Sequence, residues 1–220
     1  MISVFLTWRP VTRITIPTLV PEAYLLLSRA GGLVAYGLLW LSMALGISIT
    51  SKLSRIWPGG PAAVDVHRYV SLLGVGFTLF HVLALLGDTL LDFSLAKALL
   101  PFSGSSYRPF LVGLMGKTGL YLMLVVALSF YVRARLGHKL WRLIHYLSFV
   151  SFVLSLAHGV MAGTDSPTIW AQVLYITSIG FLLALTGYRL WLLTRTRSST
   201  AAPKQPTNKK RPDRQANVAS

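Results

Sequence analysis

Five long apolar runs, separated by short polar or basic stretches, dominate the chain. A helix needs about 20 such residues to cross the hydrocarbon core of a bilayer. Residues 29–50, 67–87, 110–132, 141–162 and 169–193 each meet that test. The pattern predicts an all-α polytopic membrane helical bundle of about five transmembrane helices. A sixth would have to come from the N-terminal lead. Residues 1–27 read as an extra-membrane or interfacial lead, 28–193 as the transmembrane domain, and 194–220 as a disordered, basic cytoplasmic tail, because the composition there collapses to Arg, Ser, Thr, Pro, Lys and Asn. Loop 51–66 holds the turn-forming Pro58-Gly59-Gly60-Pro61, loop 88–109 holds Asp88, Asp92, Pro101 and Gly104, loop 133–140 is short and basic, and loop 163–168 holds Asp165 and Pro167.

Composition agrees with a lipid environment. Of 220 residues, 54% are apolar and only 12% charged, against about 25% charged in soluble domains. The net charge of +15 would suggest nucleic acid in a soluble protein. Here the basic residues cluster in loops and tail, as cytoplasmic segments facing anionic lipid do, so no nucleic-acid partner is expected. Thirteen Lys and Arg fall on the side of loops 51–66 and 133–142 and the tail, and five on the other side. The positive-inside rule then sets the N-terminus outside and the C-terminus in the cytoplasm, in a bacterial inner or plasma membrane. The three basic residues from the N-terminus through Arg29 run against this count. That lead lacks a basic residue before its apolar run and does not read as a cleavable signal peptide. There is no Cys, so iron–sulfur, thiolate and disulfide chemistry are absent.

Four histidines change the picture from bundle to site. His67 and His81 lie 14 residues apart on the second span, and His145 and His158 lie 13 apart on the fourth. At 1.5 Å rise per residue both separations are about 20 Å. One span separates the two, so they run parallel, and His67 levels with His145 at the inner face while His81 levels with His158 at the outer. Haem iron with two imidazole ligands takes one His from each of two facing helices. Two level pairs therefore suggest two stacked b-type haems, an electron path across the membrane. Fourteen residues fall roughly 40° short of whole turns, so His67 and His81 share a face. Thirteen fall roughly 140° short, so a straight helix does not aim His145 and His158 alike. An ionisable residue within a span is expensive, and four in two level pairs make incidental burial a poor explanation. His138 reads as a solvated loop residue and Met161 as a gap-filler.

Haem propionates need cations. Arg68 and Arg142, with Arg135 and Lys139, are placed for the inner haem, and Arg29 and Lys117 for the outer. The inner set equally obeys the positive-inside rule. Gly113, Gly116 and Gly119 recur every three residues, and Gly74 and Gly76 precede His81; such glycines let backbones approach a flat cofactor or one another. Trp57, Trp141, Trp170 and Trp191 fall near span ends, as an aromatic belt does.

The segments HRYVSLLGVGFTLFH (67–81) and LWRLIHYLSFVSFVLSLAH (140–158) resemble the ferric reductase-like transmembrane domain, a family that includes ferric reductases, NADPH oxidases and the bacterial MsrQ haem subunit. SRAGG (28–32) is similar to that family's opening segment, and the resemblance covers about residues 28–193. It implies that His67 and His145 ligate an inner haem b, that His81 and His158 ligate an outer one, and that Arg29 sits near the outer haem where the acceptor is reduced. Complete enzymes of the family carry a flavin and nicotinamide domain after the last span. Here about 27 polar residues follow Leu193, with no Gly-rich dinucleotide fingerprint. The resemblance thus implies an MsrQ-like subunit, which draws on flavin or NAD(P)H only through a separate cytoplasmic flavoprotein reductase and serves an extracytoplasmic redox partner. Some MsrQ proteins have a basic residue where this chain has His67.

Two other readings stay open on the residues. A cytochrome b subunit of a quinol-oxidising complex also carries two His pairs on its second and fourth spans. A transporter using His for a metal ion or protons would bring carboxylates to mid-membrane, and the spans hold almost none.

Overall fold

The structure, a computed structural model, describes residues 19–56, 59–87, 94–100, 103 and 110–200, with side chains described from 23 to 195. Six α-helices follow in order: α1 Leu19–Thr50, α2 Gly60–Leu86, α3 Leu95–Leu99, α4 Phe110–Ser129, α5 Arg133–Ala162 and α6 Ile169–Thr200. A 3₁₀ turn, Leu53–Arg55, lies between α1 and α2. Among the described residues there is no strand. All helices except α3 are long and apolar enough to cross a membrane. The chain is an integral membrane helical bundle.

Several element boundaries differ from the sequence expectation. α1 starts at Leu19, so residues 19–27 extend the first helix rather than forming a lead. The apolar run Tyr24–Leu27 continues the helix pattern, and Pro21 falls in the first turn, where a missing N–H breaks no helix bond. α2 starts at Gly60, seven residues before His67. Its N-cap Gly59 has φ 103°, a left-handed value that glycine adopts without strain, and a proline follows within the first helical positions. Segment 133–140, expected as a basic loop, is helical, with a break only at Gly137 (φ 75°). Its residues are polar because they face water at a helix start, which composition alone reads as loop. α6 continues past Leu193 to Thr200. The rest of the expected tail, the first 18 residues, and Trp57 lie outside the described residues.

Two antiparallel hairpins form the bundle. α1 packs along α2, and α4 packs along α5. α6 closes against α1 through a core of Tyr36, Met43, Ala44 and Ile47 with Phe152, Ala171, Tyr175 and Leu182. Tyr36 stacks on Phe152 at 5.9 Å, meets Tyr175 edge-on at 5.4 Å, and hydrogen-bonds Ser178. Large apolar side chains such as Leu83, Leu128, Ile176 and Leu183 point outward with over half their surface exposed. On a bundle of spanning helices, that surface faces lipid.

Candidate functional site: two histidine pairs

The hairpins bring all four histidines into two pairs. His67 faces His145 with ring centres 6.2 Å apart, and His81 faces His158 at 6.5 Å. The ring planes are nearly perpendicular in both, at 75° and 76°. An imidazole nitrogen binds a first-row metal at about 2.0–2.1 Å, so two imidazoles on opposite sides of one metal have ring centres roughly 6.3 Å apart. Both pairs match that separation.

On α1, one arrangement occurs twice. The Nδ1 of His67 donates to the Ser42 carbonyl at 3.0 Å, and the Nδ1 of His81 donates to the Ser28 carbonyl at 2.7 Å. A carbonyl can only accept, so Nδ1 carries the proton and Nε2 keeps a free lone pair. That is the tautomer a metal ligand requires. Below each ring lies a glycine one turn along α1. A Cβ at Gly46 would sit 3.4 Å from His67, and one at Gly32 would sit 3.0 Å from His81. Ser28 and Ser42 are 14 residues apart, as are Gly32 and Gly46 and as are the two histidines they serve. The motif Ser-x-Ala-x-Gly thus stands at 28–32 and again at 42–46. This internal repeat is the signal that would have identified Ser28, Ser42, Gly32 and Gly46 from sequence.

On the α4–α5 side the two sites differ. His158 donates from Nδ1 to the Val112 carbonyl of α4 at 2.8 Å. Gly116 lies so close that a Cβ there would meet its ring at 2.9 Å. Of the glycines in the three-residue series, Gly116 makes room for the imidazole and Gly119 for close helix contact at Ser155, while the Ser151 hydroxyl donates to the Gly119 carbonyl at 2.9 Å. His145 has no carbonyl partner. Its ring stacks on Trp141 at 5.4 Å, with planes 28° apart.

The predicted cations have partners of their own. Arg29 forms an ion pair with Asp165 at the His81–His158 end. Lys117 is buried, and its ammonium donates to the Leu100 carbonyl at 2.9 Å, the Ser103 carbonyl at 2.6 Å and the Ser103 hydroxyl at 3.0 Å. All three of its protons are engaged, so Lys117 ties the α3 segment to α4 rather than standing ready for an anion. Arg68 lies 3.7 Å from Asp65 and over the Phe130 ring. Arg142 donates to the Tyr146 hydroxyl at 3.3 Å. His138 is exposed, as expected, but it sits on helix α5 with its ring 6.1 Å from that of Trp141.

A cavity of about 290 Å³ opens beside the His81–His158 pair, reached by Arg29, Lys117, Asp165 and Tyr175. Among the described residues, no three His, Asp or Glu side chains converge as a metal cluster. Each pair instead brings two imidazole rings to within 6.2–6.5 Å, centre to centre.

Residues 23–165 match a family described as a domain of unknown function, DUF8596. The chain belongs to that family. No curated protein and no solved structure matches it. The DUF8596 match contains all four histidines, both α1 motifs and both partners of the Arg29–Asp165 pair.

Proposed function

We propose that this DUF8596 chain is a bis-haem b membrane protein that carries single electrons from a cytoplasmic flavoprotein reductase to an acceptor on the outer face, in the manner of the ferric reductase-like and MsrQ-like proteins it resembles. The observation that carries this reading is the pair of imidazole separations, 6.2 and 6.5 Å, repeated at two levels of one bundle. Two ligands per metal, placed on opposite sides, suit a macrocycle that fills the equatorial positions and not the four-ligand tetrahedron of structural zinc. His67 with His145 and His81 with His158 would hold the group, which would supply a ferric/ferrous couple suited to electron transfer.

The protein's own residues do the rest. The Ser28, Ser42 and Val112 carbonyls hold the Nδ1 protons, which leaves Nε2 of His67, His81 and His158 with its lone pair free to ligate. Gly32 and Gly116 give the His81 and His158 rings room. The apolar helices keep water from the path. Arg68, Arg142 and Arg29 remain the candidate propionate partners, and the basic end of the bundle is the cytoplasmic one by the positive-inside rule.

The test is haem content of the detergent-purified protein, by extracted-haem quantification and the reduced-minus-oxidised spectrum. Two b-type haems per chain are expected. A protein that stays haem-free after expression with haem supplied would sink the reading.

A further inference from the structure

His145 and His158 leave α5 in different directions, roughly 140° apart about a straight axis. The backbone between them contains no non-helical residue. His158 points to where α4 offers the Val112 carbonyl. His145, among the described residues, makes no hydrogen bond. Its ring lies against Trp141 instead, one turn earlier on the same face. The Trp141 indole nitrogen is itself buried without a hydrogen-bond partner. Among the described residues the indole's ring contacts are with His138 and His145.

We propose that Trp141 is the positioning residue of the His67–His145 site. Its indole face fixes the plane of the His145 imidazole, the task that backbone carbonyls perform for the other three histidines. This rests on the haem reading above. A stack restrains the ring plane without accepting the Nδ1 proton. Among the described residues His145 takes no such support from a backbone carbonyl, so its geometry is the one a side-chain substitution can release.

The experiment uses the full chain in detergent, with two readouts: the EPR signals of the oxidised protein and a potentiometric titration of the haem absorbance. His67→Ala and His81→Ala assign each signal to its site. Trp141→Leu keeps an apolar side chain but removes the ring face. The expected result is a shifted low-spin signal and midpoint potential, or conversion to high spin, for the His67–His145 haem alone. The unchanged His81–His158 signal reports an intact fold. Trp141→Phe restores a ring face and returns most of the wild-type signal. Unaltered signals in the Leu variant, or equal impairment in Leu and Phe, would overturn the inference while the two-haem reading stands. Wild-type protein without haem would remove both.

Discussion

The two histidine pairs share one half of their surroundings and differ in the other. On the α1 side they are near copies: a serine carbonyl holds each Nδ1 and a glycine lies under each ring. On the α5 side, the His81–His158 pair gains a second carbonyl and a second glycine from α4, and the His67–His145 pair gains a tryptophan stack. The cause is a single residue of spacing. Fourteen residues return a helix nearly to the same face, and thirteen do not. So α1 and α2 could repeat one solution twice, whereas α5 had to support its two histidines by different means.

The largest expected effect breaks each site separately. His81→Ala removes one ligand from the far pair and leaves the His67–His145 pair untouched. His67→Ala does the reverse. Each variant should fall from two haems per chain to one, by extracted-haem quantification, and the two residual spectra should differ. Loss of both haems in either variant would mean the sites are not independent. Retention of both would mean that the ligand assignment is wrong.

The glycines sharpen the comparison by a smaller step. A Cβ at Gly116 would stand 2.9 Å from the His158 ring, closer than carbon and nitrogen tolerate. That ring cannot swing aside without giving up the Val112 carbonyl. At Gly46 the added Cβ would stand 3.4 Å from His67, an ordinary contact. Gly116→Ala should therefore reduce occupancy of the far haem, while Gly46→Ala leaves both haems at wild-type content. The same quantification reads both. Equal loss in the two variants would mean that ring clearance does not control occupancy.

Much of this was legible before the fold was known. Apolar runs located the five spans, and His67, His81, His145 and His158 announced two levels by spacing alone. The 13-residue interval even marked where regularity would fail. What it could not tell was the remedy, because that depends on α4 presenting the Val112 carbonyl to His158. The carbonyls of Ser28, Ser42 and Val112 were hidden for a general reason: every residue has a carbonyl, so the acceptor leaves no mark in the sequence. Only the repeated Ser-x-Ala-x-Gly on α1 gave a hint. The partners of Lys117 were hidden for the same reason: its ammonium donates to the Leu100 and Ser103 carbonyls, which no sequence pattern marks.

That lysine gives a test of the end of the bundle that holds the far pair. Lys117 is 9% exposed and carries three hydrogen bonds to the segment after α3. Bonds to a charged group contribute about 1.5–3 kcal/mol each, and they share one desolvation penalty, so Lys117→Met should cost on the order of 1–3 kcal/mol in total. Faster hydrogen exchange in Leu95–Leu99 and a lower Tm are expected, with the His67–His145 haem unchanged. Exchange that stays at the wild-type rate would show that other contacts hold α3.

The smallest effect is expected at Arg29 and Asp165. These side chains are 36% and 27% exposed, and they join the start of α1 to the turn before α6 beside the far pair. Partly exposed ion pairs contribute roughly 0.2–1 kcal/mol, so Asp165→Asn alone should barely move Tm. Its informative consequence is electrostatic. Removing Asp165 frees the Arg29 guanidinium next to the cavity that His81 and His158 border. A freed cation favours the reduced, less positive metal centre, so the midpoint potential of the far haem should rise while that of the basic-end haem holds. Arg29→Gln should move the same potential down. Opposite shifts from the two partners, confined to one haem in a potentiometric titration, would tie this ion pair to the far site. Shifts of the same sign, or shifts shared by both haems, would reduce it to a structural strap between α1 and α6.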